Sequence, residues 1–218
     1  MNIIPSFVGH RSRIKGEKLG VYAQKLSQWE VQNFEEIQAI MPNFEEFEIE
    51  IGSGYGDTIA HLAEQNPQKL FLACEVYRDA LYSICKKIEE SSIQNIRIFT
   101  QDARNFTETL PNEFASAVYL LFPDPWPKAR HHKRRIVTQS FFENNARILK
   151  KGGTLLIATD SDSYKQHIAI ETFKQKHFKW NAKTCKDFTE EPKWWVKTKF
   201  QKKAIADGRV CVFVKLSL

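Results

Sequence analysis

Phe47-Glu48-Ile49-Glu50-Ile51-Gly52-Ser53-Gly54-Tyr55-Gly56-Asp57 is the stretch whose reading decides the fold. Apolar residues alternate with acids, the period of a strand, and glycines then fall at every second position before a helical pattern begins. A strand that passes through a glycine turn into a helix opens a β-α unit. The pattern downstream repeats it. Strands are expected over 47–51, 69–75, 96–100, 117–122 and 154–159, and helices over 58–65, 78–90, 136–149 and 163–176. Asn66-Pro67 stops the first of these helices, and Ala80, Leu81, Ile84 and Ile88 form one stripe of the second. The 117–122 strand is almost wholly apolar, as expected for a strand covered on both faces. Lys150-Lys151-Gly152-Gly153 closes the third helix with cations and then glycine.

Upstream, residues 22–41 read as a helix with Leu26, Trp29, Phe34, Ile37 and Ile40 inward, ended by Pro42. Downstream, strand-like pieces at 194–200 and 210–215 suggest an antiparallel hairpin. Alternating strands and helices with short connections imply an α/β fold. It is a single doubly wound, mostly parallel sheet with helices on both faces and an antiparallel C-terminal strand. Residues 1–20 are expected to be a flexible basic arm, and 21–218 the domain.

The composition suits a soluble globular chain: 218 residues, 42% hydrophobic and 27% charged. The net charge is +6, and its distribution says more than its sum. Acids dominate 30–50, whereas Lys and Arg gather in 10–18, 128–135 and 193–203. Three basic clusters could form one face for a polyanion, or serve as solvated loops. Cys74, Cys85, Cys185 and Cys211 include no CxxC pair, and no His cluster completes a metal set, so no metal is expected. Free thiols fit a reducing compartment. No apolar run approaches the ~20 residues that span a bilayer, and residues 1–18 lack the apolar core of a signal peptide. The expectation is a cytoplasmic protein with no membrane association.

The strand ends carry the chemistry. A dinucleotide fingerprint that started at Gly52 would need glycine at 57, where Asp57 stands. The turn is therefore GxGxG, preceded by Glu50. An acid there disfavours an anionic pyrophosphate and favours a cationic sulfonium or amino group. Glu75 ends the second strand, placed to accept both hydroxyls of a ribose. Asp102 follows the third strand; it could accept from an adenine amino group or cap the helix that starts near Ala103. Asp124 follows the fourth strand between Pro123 and Pro125, and Lys128, Arg130, His131, His132, Lys133, Arg134 and Arg135 come at once. A rigid acid beside a cationic loop suggests that a base is handled chemically while its phosphates are held. Trp126 could stack on a base or close an apolar rim.

The order GxGxG, Glu75, Asp102 resembles class I S-adenosylmethionine-dependent methyltransferases. The segment from Phe122 to Arg135 is similar to the signature of the bacterial single-subunit tRNA (guanine-N7-)-methyltransferases. So are Ala158-Thr159-Asp160 and Thr198-Lys199-Phe200. The resemblance covers about 47–210. It implies a Rossmann-like methyltransferase fold that uses S-adenosylmethionine and leaves S-adenosylhomocysteine. It implies cofactor contacts from Glu50, Gly52, Gly54, Glu75, Asp102 and Asp124, with Asp124 the catalytic group. Substrate contacts fall to Lys128, Asp160, Thr198 and Gln201, and RNA contacts to Arg130, His131, His132, Lys133, Arg134 and Arg135. One departure is Gln201, where the family carries an acid; glutamine keeps an acceptor oxygen and loses the charge.

The implied reaction is methyl transfer to guanine N7 in the variable loop of tRNA, at position 46. On this reading Asp124 and Asp160 supply negative potential and accept from guanine N1–H and the N2 amine, and Lys128 donates to O6. No obligatory protein partner is implied, and the chain would be a monomer or a homodimer. The alternatives are a class I methyltransferase of another RNA or a protein, and a non-catalytic RNA-binding protein on the same fold.

Overall fold

The computed structural model describes residues 4–7, 14 and 17–218. Most of the basic stretch at 10–18 therefore lies outside the described residues. The chain opens with helix α1 (Glu17–Trp29), then α2 (Phe34–Ile40) and a 3-10 turn (Met41–Asn43). The single helix expected over 22–41 is thus broken after Trp29. Asn33 caps α2, its side chain accepting from Glu36 N–H, and Val31 N–H bonds across to Ile98.

Regular alternation follows: β1 (Glu46–Ile51), α3 (Asp57–Gln65), β2 (Lys69–Cys74), α4 (Arg78–Glu90), β3 (Ile96–Phe99), α5 (Ala103–Thr109), β4 (Ala115–Leu121), α6 (Gln139–Ile148), β5 (Leu149–Thr159) and α7 (Asp162–Lys174). Then come β6 (Lys179–Trp180), α8 (Lys186–Thr189), α9 (Lys199–Ala206) and β7 (Val212–Ser217). The strands form one seven-stranded sheet in the order β3-β2-β1-β4-β5-β7-β6. The first five are parallel; β7 runs antiparallel to β5 and to β6.

The doubly wound sheet with an antiparallel C-terminal strand is therefore present, with two differences in detail. β5 begins at Leu149, directly after α6, and Lys150 to Gly153 lie inside it rather than closing the helix. Residues 194–200 are not a strand. Thr198 accepts from Gln201 N–H and caps α9, and β7 pairs with β5 and β6 instead. Trp194 and Trp195, whose β-propensity suggested a hairpin, instead pack against Tyr119 and Phe213.

The sheet separates two apolar layers. One holds Phe47, Ile49, Ile51, Phe106, Phe142, Tyr164 and Ile168. The other holds Leu26, Ile59, Leu81, Ile84, Ala204 and Phe213. The alternation of β1 sends its glutamates to the second face. Glu48 is buried there, accepting from Lys69 Nζ (2.8 Å) and Tyr119 OH (2.7 Å). Lys69 also pairs with Glu46 at 2.7 Å, so one ammonium is shared by two carboxylates. Among the described residues no helix is long and apolar enough to cross a membrane.

Gly56 sets the approach of α3 to α4. Its φ is +78°, and a Cβ there would meet Ile84 Cγ1 at 2.8 Å. Gly56→Ala is expected to lower stability by about 2 kcal/mol or more, from left-handed strain plus overpacking. Gly52→Ala has the same backbone strain at φ +73° and meets nothing within 4 Å. It should cost only about 1 kcal/mol. Thermal denaturation of the pair checks this, and equal losses would remove the steric part of the argument.

Candidate active site

The strand order reverses between β1 and β4, and the crevice at their C-terminal ends is where open α/β sheets bind ligands. Here it is a cavity of about 350 Å³. Glu50 comes from the end of β1, Glu75 from just after β2, Asp102 from just after β3 and Asp124 from beyond β4. All four line the cavity, together with Gly52 and Gly54.

The glycine turn is built for close approach. Gly52, Gly54 and Gly56 have φ of +73°, +53° and +78°. Gly52 N–H and Ser53 N–H bond to Cys74 O, stitching the turn to the end of β2. Glu75 completes it by accepting from Gly54 N–H (2.7 Å), Val76 N–H (2.7 Å) and Tyr77 N–H (2.8 Å). Burial pushes the Glu75 carboxyl up and Asp124 adds to that, while the three N–H bonds pull it down; the net direction is up.

Glu50 is the anomaly. It is only 3% exposed, and its Oε2 has no hydrogen-bond partner among the described residues. Thr58 Oγ1, in the first turn of α3 and also on the cavity wall, is unpartnered in the same way. Burial, and then the carboxylates of Glu75 and Asp57, push the Glu50 carboxyl well above the usual range. Two buried polar atoms without partners among the described residues, both on the cavity wall, call for a polar group from a ligand.

Asp102 proves to be both the cap of α5 and an ion-pair partner. Its Oδ1 accepts from Arg104 N–H (3.1 Å), and Oδ2 pairs with Arg104 Nη2 (2.6 Å). Burial alone would raise this carboxyl, but the Arg104 bonds outweigh it and hold it below the ordinary range.

The roof of the cavity comes from the C-terminal part of the chain. Thr198, Lys199 and Phe200 line it. Lys199 Nζ lies 4.6 Å from the Tyr55 ring centroid, and Phe200 sits against Gly54. The other side is closed by Ser6 and Phe7. Ile4 O accepts from Arg104 Nη2 (3.0 Å) and Ser6 O from Trp126 Nε1 (3.1 Å), so this segment crosses between the Asp102 and Asp124 corners. Nothing in its composition marked it for that place. Thr58, Tyr55 and the Ser6-Phe7 pair were all missed in the sequence; only the unpartnered hydroxyl of Thr58 reveals it.

Asp124 stands in an unusually fixed loop. Phe122 (φ +52°) and Trp126 (φ +46°) both adopt the left-handed region, and each precedes a proline. Phe122 N–H bonds to Ala158 O at 2.8 Å. Arg135 donates from Nε to Pro125 O (3.0 Å) and from Nη2 to Ser163 Oγ (3.3 Å), with its guanidinium over the Tyr164 ring.

The basic block thus divides three ways. Lys128, Arg130, His132 and Lys133 are exposed. His131 and Arg134 pack on the Trp126 ring, edge-on and face-on. Arg135, expected on the RNA side, is 6% exposed and braces the Asp124 loop from behind.

Three predicted substrate residues lie off the cavity wall. Lys128 is exposed at the start of the basic turn. Asp160 pairs with Arg209 Nη1 at 2.6 Å. Gln201 is 1% exposed, one turn into α9. No group of three or more metal-binding side chains gathers among the described residues.

Residues 45–214 match a protein-family model described as "Putative methyltransferase". A tRNA (guanine-N(7)-)-methyltransferase of Ruegeria sp. (strain TM1040) is 38% identical over 161 residues, 74% of this chain and 63% of that protein. The enzyme of the same name from Jannaschia sp. (strain CCS1) is 35% identical over 162 residues, 74% and 68% of the two chains. The match thus spans about two thirds of the length of these relatives. A solved "Antibiotic Related Methyltransferase" superposes with a TM-score of 0.56 at 20% identity, over 86% of this chain and 94% of that one.

Proposed function

The chain belongs to the tRNA (guanine-N(7)-)-methyltransferase family, and from that premise we propose that it methylates N7 of a guanine in tRNA, with S-adenosylmethionine as donor. The observation that carries the reading is the ring of acids around the switch-point cavity. Glu50, Glu75, Asp102 and Asp124 come from four strand ends, and Glu50 Oε2 and Thr58 Oγ1 stand unpartnered among them.

The residues fit the donor. Glu50 and Thr58 would hold its ammonium group, Glu75 its ribose hydroxyls and Asp102 its adenine amine. Gly52 and Gly54 would let the backbone close on it. When bound, S-adenosylmethionine supplies a methyl group on a positively charged sulfur.

The acceptor dictates the rest. Guanine N7 carries an in-plane lone pair, so no proton has to leave the nucleophile and no general base is needed. What remains for the protein is alignment and a negative potential where positive charge passes to the purine. Asp124, held by Pro123, Pro125 and Arg135, is the group for that potential. Lys128 and the exposed Arg130, His132 and Lys133 would meet the RNA backbone, with His131 and Arg134 behind them on Trp126. The base is the variable-loop guanine at position 46, which must turn out of its tertiary pairing to reach the cavity. A tRNA substrate places the protein in the cytoplasm.

Purified protein, labelled S-adenosylmethionine and an unmodified tRNA transcript test the proposal directly. Labelled 7-methylguanosine in the nucleoside digest is the expected product. Label in another nucleoside would move the reading to a different RNA site, and no transfer with the cofactor still bound would leave an RNA-binding protein.

A further inference from the structure

Gln201 is the part of the site that its sequence position explains least. Both ends of its amide are used. Trp195 Nε1 donates to Oε1 at 2.6 Å, and Nε2 donates to Glu191 Oε1 at 2.7 Å. An indole N–H can only donate, so it fixes which end of the amide is oxygen and turns the NH₂ toward Glu191. Trp195 is itself wedged between Phe213 (4.8 Å between ring centroids) and Phe122 (6.3 Å). Gln201 N–H bonds to Thr198 Oγ1, and Thr198 lines the cavity. A buried, fully oriented amide, one helical turn from Thr198 on the cavity wall, therefore holds an exposed carboxylate.

The neighbouring acid is in a different state. Burial and then Asp160 push the Cys211 thiol up; Glu191 adds to this, while Lys165 and Arg209 oppose it. Asp160 pairs with Arg209. Glu191 makes no ion pair with a described residue; its hydrogen-bond partner is the neutral Gln201 amide. Of the two, Glu191 is the one without a cationic partner among the described residues, and its Oε2 is not used by Gln201.

The proposed reaction needs such a group. Adenine also has an N7 lone pair, so N7 alone does not select guanine. The purines differ on the far edge, where guanine presents N1–H and an N2 amine and adenine presents an N1 acceptor. A carboxylate there accepts from guanine and repels adenine. We propose that Glu191 is the specificity-determining acceptor for the guanine N1–H and N2 amine, with Gln201 as the residue that positions it. The proposal rests on the guanine-N7 reading above. It adds Glu191 to the Watson–Crick edge beside Asp160, whose Oδ2 already pairs with Arg209.

The test compares two tRNA transcripts, one with guanosine and one with inosine at the acceptor position. Inosine lacks only the N2 amine and keeps N7. Wild-type kcat/KM should fall roughly tenfold or more on inosine. Glu191→Gln should lose roughly tenfold or more on guanosine and bring the guanosine-to-inosine ratio close to one. Glu191→Asp should keep a ratio above that of Glu191→Gln at a reduced rate. S-adenosylmethionine affinity, measured by calorimetry on each variant, should stay within about twofold of wild type, because Glu191 lies off the cofactor wall. A Glu191→Gln enzyme that keeps the wild-type ratio overturns the proposal, whatever its absolute rate. Wild-type protein that methylates neither transcript overturns the guanine-N7 reading, and this proposal with it.

Discussion

Glu50→Gln is expected to weaken S-adenosylmethionine binding by roughly 10²-fold and to flatten the larger part of its pH dependence, leaving the part due to Glu75. Glu50 is buried with an unpartnered oxygen, and the charged groups that face it, Glu75 and Asp57, are acids. Without ligand the carboxyl holds its proton to a pH well above the ordinary carboxylate value. A cationic ligand favours the ionised form and draws its pKa down, so binding releases a proton and affinity rises with pH.

The stability of the ligand-free protein moves the other way. The folded pKa is raised above the unfolded value of about 4.3. The folded state therefore holds the proton more tightly. That contribution is complete below the unfolded pKa and is lost as pH rises through the folded one. Glutamine carries no such proton. The variant should melt like wild type at acid pH and above it at alkaline pH. Calorimetry in two buffers of different ionisation enthalpy reads the released proton directly. A Glu50→Gln protein that binds with wild-type affinity and the same pH slope would remove Glu50 from the cofactor site.

Asp124→Asn should lower kcat by about 10²- to 10³-fold and leave the melting temperature nearly unchanged. The loop is held at Phe122, Pro125 and Trp126 by bonds to Ala158, Arg135 and Ser6. Asparagine therefore occupies the same place, and the measured loss reports the charge. Single-turnover methylation with saturating cofactor separates this from weakened binding. Turnover within about threefold of wild type would show that the potential comes from elsewhere.

Much of this was legible because the signals are local. β1, β2, β3 and the buried β4 announce themselves by pattern, and each ends at an acid that turns up on the cavity wall. The glycine turn is readable because only glycine adopts its repeated left-handed backbone without strain.

What stayed hidden depends on long-range packing. Arg135 looks like the four other Lys and Arg residues of its block, yet it is the one next to the apolar Ile136-Val137, and burial follows from that. Gln201 sits in Lys199-Phe200-Gln201-Lys202-Lys203, a polar run that gives no sign of burial. Its place is set by Trp195, six residues earlier, and by Phe213 from β7. Trp194 to Phe200 read as a strand because the residues are β-formers, but the Thr198 cap and the docking of two tryptophans on the sheet prevailed.

The order of the strands also bears on how such an enzyme can change what it modifies. On the proposed assignments, the donor is gripped mainly by loops on one side of the β1–β4 seam, and the acceptor by segments on the other side, from Asp124 to the end of the chain. The two sets of contacts meet at that seam and under the Thr198–Phe200 roof. Selection on the second set can therefore proceed while the first stays constant. A new acceptor would need changes after residue 121 and none in the glycine turn.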